Sequence, residues 1–222
     1  MSTIIIIKKL FTWYEGWGEK YTNKKGVPRV TTTLVREDLI KDLGAWIEYH
    51  PRFHGYPATG KYVMPEELYF EVSRANAINF DFLSVHKLLI VSESMLNFLW
   101  EQGFKDGYEI APIKSVVNKA KKIVETEKKY FALRFVRFDD DLIDYGDEME
   151  VIAETQTMQI KFTLYPNMSV KDNVNKEIFI LDKIEVPKSL FFTENIKNNM
   201  MKKGFIGPTL YATSELHKAF CD

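Results

Sequence analysis

Cysteine is nearly absent from this chain: of its 222 residues one is a cysteine, Cys221, next to the C-terminal Asp222. That excludes an intramolecular disulfide and a zinc centre built from thiolates, and it fits a reducing compartment. A long apolar run is missing too. Ile4–Ile7 supplies four aliphatic residues where a membrane-spanning helix needs ~20. Lys8 and Lys9 follow that run, whereas a secretory leader carries its positive charge in front. The expectation is a soluble, cytoplasmic protein. Nor does one sign of charge dominate: 30 Lys and Arg against 31 Asp and Glu give −1. The chain as a whole therefore has no electrostatic footprint for nucleic acid or an anionic membrane, and charge-based recognition has to be local.

What is present is core material. With 45% hydrophobic and 14% aromatic residues, a chain of this length buries roughly 70% of its unfolded surface and needs no metal or disulfide to hold together. A single domain over residues 1–222 is expected. β-Branched and aromatic runs predict strands at Thr3–Lys8, Val27–Val35, Ala45–Tyr49, Tyr69–Val72, Lys87–Val91, Tyr130–Phe138, Val151–Ala153, Met158–Leu164 and Glu177–Leu181. Helices are expected at Glu93–Gln102, Ser115–Glu127, Glu194–Lys203 and Glu215–Phe220. Strands and helices do not alternate regularly. The fold class that follows is α+β, a mostly antiparallel or mixed sheet with a few short helices.

Two segments match at a distance of 101 residues. Leu88–Phe104 and Ser189–Phe205 each run from an apolar strand into a hydroxyl residue, Ser92 or Thr193, then a glutamate, Glu93 or Glu194, and end at Gly103-Phe104 or Gly204-Phe205. The hydroxyl suits a helix N-cap, the carboxylate suits the positive end of the helix dipole, and the glycine suits a left-handed stop. Such a likeness arises from the common needs of helix capping or from duplication.

Several motifs resemble reactive sites. Gly55-Tyr-Pro-Ala-Thr-Gly60-Lys61 has the spacing of a phosphate-binding loop, but Tyr62 stands where a Mg²⁺-binding hydroxyl belongs, Pro57 removes an N–H and Pro65 obstructs the following helix. It reads as a surface loop. His50 and His54 have helical metal-ligand spacing, yet Pro51 between them argues against a helix. Tyr130–Phe138 interleaves aromatics with arginines as a stacking platform for single strands would, although its largely apolar faces suit a central core strand better. No catalytic, metal or cofactor set emerges, and the expectation is a protein that is not an enzyme.

Two segments are candidates for contacting a partner. Asp139-Asp-Asp-Leu-Ile-Asp-Tyr-Gly-Asp-Glu-Met-Glu150 holds seven carboxylates in twelve residues with no basic residue. It reads as a solvated turn, an acidic binding patch, or an acid pair for hydrolysis or metal binding, though it fails the calcium-loop spacing. The binding reading places Asp139, Asp140, Asp141, Asp144, Asp147 and Glu148 at the interface. Trp13-Tyr-Glu-Gly-Trp17 reads as a glycine-bearing turn whose Trp13, Tyr14 and Trp17 either close a core or form a contact surface.

The order of motifs in the second part of the chain carries a resemblance. An apolar strand running into Val91-Ser-Glu93 is followed by Tyr108-Glu-Ile-Ala-Pro-Ile113, Tyr130-Phe-Ala-Leu-Arg-Phe135 and Leu142-Ile-Asp144. Then come Glu177-Ile-Phe-Ile-Leu181, Leu190-Phe-Phe-Thr-Glu194 and Lys203-Gly-Phe205. Over residues 80–212 this resembles the immunity proteins of bacterial polymorphic toxin systems, families eleven and forty-three of that catalogue; the β-rich residues 1–80 find no place in it. The resemblance implies a cytoplasmic protein that binds a cognate toxin domain and blocks it by stoichiometric occlusion, with no cofactor and no catalytic residues. The rivals are a small-molecule or nucleotide-dependent enzyme using Lys61 or the Asp139–Asp144 carboxylates, and an oligomeric structural or binding module.

Overall fold

The computed structural model describes residues 9–15, 26–29, 32–39, 44–73, 75–153, 161–184 and 188–219. The strand expected at Thr3–Lys8, Trp17 and Cys221 lie outside them, as do residues 158–160 and Phe220. In chain order the strands are β1 (Leu10–Tyr14), β2 (Thr33–Arg36), β3 (Leu68–Val72), β4 (Phe82–Val85), β5 (Leu88–Ser92), β6 (Tyr108–Val117) and β7 (Tyr130–Phe135). They continue with β8 (Ile143–Asp144), β9 (Glu150–Ala153), β10 (Lys161–Leu164), β11 (Ser169–Val170), β12 (Ile178–Ile180), β13 (Leu190–Thr193) and β14 (Thr209–Ala212). The α-helices are α1 (Pro51–His54), α2 (Glu93–Glu101) and α3 (Glu194–Lys203), with short 3-10 turns at Ala45–Glu48, Gly60–Tyr62, Asp140–Leu142 and Thr213–Ala219. The fold is α+β, and its sheets are antiparallel or mixed.

The chain divides into two compact units that interleave in sequence. One comprises Met1–Thr22, Phe138–Gly204 and Thr209–Asp222; the other comprises Asn23–Arg137 and Phe205–Pro208. The second unit holds a six-stranded sheet in the order β2-β3-β6-β7-β5-β4, in which β3 and β6 are parallel and every other pair is antiparallel. Proline is rare inside a sheet because it has no N–H for the ladder. Pro112 is tolerated in β6 because the strand changes partner there: Tyr108–Pro112 pair with β7, whereas Ile113–Val117 pair with β3. The sheet buries Phe70, Leu83, Ile90 and Ala132 with Trp46 and Phe80 in one apolar cluster.

The first unit holds an antiparallel sheet in the order β12-β13-β1-β14, with the pairs β9–β10 and β8–β11. Leu10, Phe179, Leu181, Ile184 and Phe191 form its core. Leu88–Phe104 lies in one unit and Ser189–Gly204 in the other, and their likeness extends to topology. The order β4-β5-β7-β6 parallels β12-β13-β1-β14: a hairpin, a helix after its second strand, and a third strand antiparallel to that second one. The registers agree too, with Ser92 opposite Tyr130 and Thr193 opposite Leu10, each at the start of the third strand. In both units a carboxylate residue just before the hairpin takes two bonds from the cap residue. Ser92 donates its N–H and hydroxyl to the Asp81 carbonyl and carboxylate, and Thr193 does the same to Glu177.

The caps differ in one respect from expectation. The Ser92 Oγ also accepts the Met95 N–H at 3.2 Å, but the Thr193 hydroxyl makes no bond into α3. Gly103 and Gly204 have φ of +84° and +71°, the left-handed stop anticipated for them. Phe104 is buried beside its own helix, and Phe205 packs on Phe98 of α2 at 5.3 Å.

Three expected elements have other forms. Ala45–Tyr49 is not a strand: Ala45–Glu48 forms a 3-10 turn, closed by the Tyr49 N–H on the Trp46 carbonyl, that buries Trp46 and Ile47. Ser115–Glu127 is not a helix: β6 carries Val116 and Val117 into the core, and the chain then turns at Asn118–Lys122 with Lys121 at φ +61°. Val27–Val35 is strand only from Thr33 among the described residues, since Pro28 cannot donate to a ladder. Conversely, α1 forms despite Pro51, which occupies the first helical position where a missing N–H costs nothing.

Candidate partner-binding surfaces

The acidic segment splits into an inward and an outward part. Asp139 is 6% exposed; its carboxylate accepts from Lys176 Nζ at 2.6 and 2.7 Å and from the Ile180 N–H at 2.9 Å. Asp140 accepts from the N–H groups of Asp182 and Lys183 and from the Tyr145 hydroxyl. Burial first, then the neighbouring Asp140 carboxylate, push the Tyr145 hydroxyl well above its ordinary pKa, so it stays a donor. These two aspartates therefore tie the 139–145 turn to the strand and loop at 180–183. Asp141, Asp144, Asp147 and Glu148 are exposed. Of these, Asp144 takes the Gly146 N–H in a local turn and Glu148 takes Asn167 Nδ2.

Of the two readings for the aromatic candidates near the N-terminus, Trp13 and Tyr14 take the core one. Trp13 and Tyr14 belong to β1, not to a turn, and both are buried, Trp13 edge-on to Phe192 at 6.3 Å. β1 is buried along its whole length, which explains why it lacks the polar alternation that marks a half-exposed strand.

The segment from Tyr49 to Val63, discounted as a nucleotide or metal site, is a built loop. His50 Nδ1 accepts the Arg52 N–H at 3.2 Å as the cap of α1, and His54 Nδ1 accepts the His50 N–H at 3.0 Å. The histidines therefore hold the turn through their ring nitrogens, and no group of three or more His, Cys, Asp or Glu among the described residues is placed to share a metal. Lys61 Nζ lies over the Tyr62 ring at 5.0 Å. Beneath the loop, Arg134 of β7 is 2% exposed. Its guanidinium donates to the carbonyls of Trp46 at 2.6 Å and Tyr62 at 2.8 Å, pairs with Glu109, and sits 4.4 Å from the Tyr49 ring. Outward, the loop presents Phe53, Tyr56 and Val63 at 83%, 57% and 53% exposure. Sequence reading missed these three. The signal available was aromatic side chains set among Gly55, Pro57 and Gly60, in a turn with no period to turn them inward.

The family model described as Immunity protein 43 matches residues 19–222. The chain belongs to that family. The match runs through both compact units and takes in residues 19–80, which the motif resemblance could not place. Of the two families resembled, it supports the forty-third. No curated protein matches the chain. Membership names the class of protein; among the described residues, no helix is long and apolar enough to cross a membrane.

Proposed function

We propose that this chain is an immunity protein of a bacterial polymorphic toxin system. It binds its cognate toxin domain in the cytoplasm and neutralises it by stoichiometric occlusion, without turnover and without a cofactor. The observation that carries this reading is the family match over residues 19–222. Its partner is a protein, and neither nucleic acid nor membrane takes part. The whole chain acts as one domain in this role. The exposed carboxylates Asp141, Asp144, Asp147 and Glu148 serve as a steering patch for a basic face of the toxin, acting on association more than on final affinity.

The test is titration of the toxin domain encoded beside this chain's gene, with its activity as the readout. Neutralisation that ends at one chain per toxin supports occlusion. Neutralisation complete at a small fraction of that ratio would mean chemical turnover and overturn it. For the steering patch, changing the four carboxylates to amides should slow association at low salt and change it little at high salt, where charges are screened. Association unchanged at both would remove the patch from the proposal.

A further inference from the structure

The loop from Tyr49 to Val63 exposes apolar side chains on a backbone pinned from inside. Exposed large hydrophobics that gather in one place mark interaction sites, whereas scattered ones are ordinary. Here the grouping is Phe53, Tyr56 and Val63. Their setting is fixed from inside: the Tyr49 hydroxyl donates to the Gly55 carbonyl, and Arg134 clamps the carbonyls of Trp46 and Tyr62 at either end. Rings add to this, with His50 4.9 Å from Phe53 and His54 4.2 Å from Tyr62. A preformed aromatic anchor loses little conformational freedom on binding, so more of its buried area converts to affinity.

The charge of the loop says what it can meet. Between Glu48 and Glu66 there is no Asp or Glu, whereas Arg52, Lys61, His50 and His54 all fall in that stretch. A basic partner face would be repelled; an acidic one complements it. A nucleic acid is the other polyanion to consider. It binds along a positively charged groove that follows several phosphates, whereas the only formal cations between Glu48 and Glu66 are Arg52 and Lys61.

We propose that this loop is the anchor of the protein–protein contact, with Phe53 and Tyr56 seated in an apolar hollow of the toxin domain ringed by carboxylates. The inference rests on the immunity reading above and names the surface through which it works.

The probe is the toxin domain encoded beside this chain's gene, silenced in its activity, captured on a sensor surface and presented with the full chain. Phe53→Ala and Tyr56→Ala should each weaken binding by roughly 10–100-fold, mainly through faster dissociation. Their melting temperatures should stay in place, because both side chains are already in water. Lys61→Glu should slow association, most at low salt. Met201→Ala, an exposed apolar residue of α3 in the other unit, should bind as the parent does. If the parent binds and both aromatic variants bind within about twofold of it, the loop is not the anchor and the immunity reading stands. If the parent does not bind at all, that reading falls and this one with it. Uptake of a single-stranded oligonucleotide by the parent, lost in Lys61→Glu, would also overturn the assignment.

Discussion

Arg134 offers the sharpest test of how the larger unit holds its surface loop. The side chain is 2% exposed, donates to two main-chain carbonyls from Nη1 and pairs with Glu109. Arg134→Ala leaves the Trp46 and Tyr62 carbonyls without that donor and opens space under Tyr49. An unsatisfied buried acceptor costs about 1–3 kcal/mol; the Tyr62 carbonyl bears that cost, whereas the Trp46 carbonyl keeps the Tyr49 N–H and loses only its second donor. Glu109 adds less, because its side chain is 22% exposed and water screens what remains. The expected loss is about 2–4 kcal/mol, overlapping the range found when one member of a buried ion pair is removed. Urea unfolding followed by tryptophan fluorescence measures it, Trp46 being next to the lesion. Trypsin gives a local reading, since the loop contains Arg52 and Lys61: cleavage there should accelerate before global unfolding does. A loss below about 1 kcal/mol, the size of one ordinary hydrogen bond, together with unchanged cleavage, would refute the clamp.

Other outcomes follow from the same geometry. Asp139→Ala, which strands Lys176 and the Ile180 N–H, should destabilise by about 3–5 kcal/mol, whereas exposed Asp147→Asn should stay within about 0.5 kcal/mol; thermal melts of the two separate inward from outward carboxylates. Glu71 is opposed by burial but held below the ordinary carboxylate range by Lys121 and Arg36. Because its folded pKa is depressed, its contribution is present above the unfolded value of about 4.3 and drains away as pH falls through the lower, folded value. Glu71→Gln should therefore flatten the acid limb of a stability-against-pH curve, and an unchanged limb would contradict the assignment.

What could be read in advance was local. Leu88–Phe104 and Ser189–Phe205 declare themselves because strand, cap, helix and glycine stop are each written within a few residues. β1 did not, because a strand buried on both faces shows no alternation, and Trp13 and Tyr14 then resemble a turn. Val116 and Val117 were absorbed into a lysine-rich stretch that looks helical until β3 claims them as strand. Asp139 and Asp140 looked solvated because their partners, Lys176, Ile180, Asp182 and Lys183, are about 40 residues away and no spacing rule connects them. Phe53 and Tyr56 were hidden for a different reason: composition reveals that an aromatic is present, and only the fold reveals that it faces water.

The position of β1 sets a timetable for making the protein. It leaves the ribosome roughly 180–200 residues ahead of the strands on its two sides, Leu190–Thr193 and Thr209–Ala212. At ~5–20 residues per second the wait is about 10–40 s, during which the greasy stretch Leu10–Tyr14 has neither of its flanking strands. A cell that makes this chain must shelter that stretch or tolerate its stickiness. A chain cut short before Thr209 would leave β1 without its second edge.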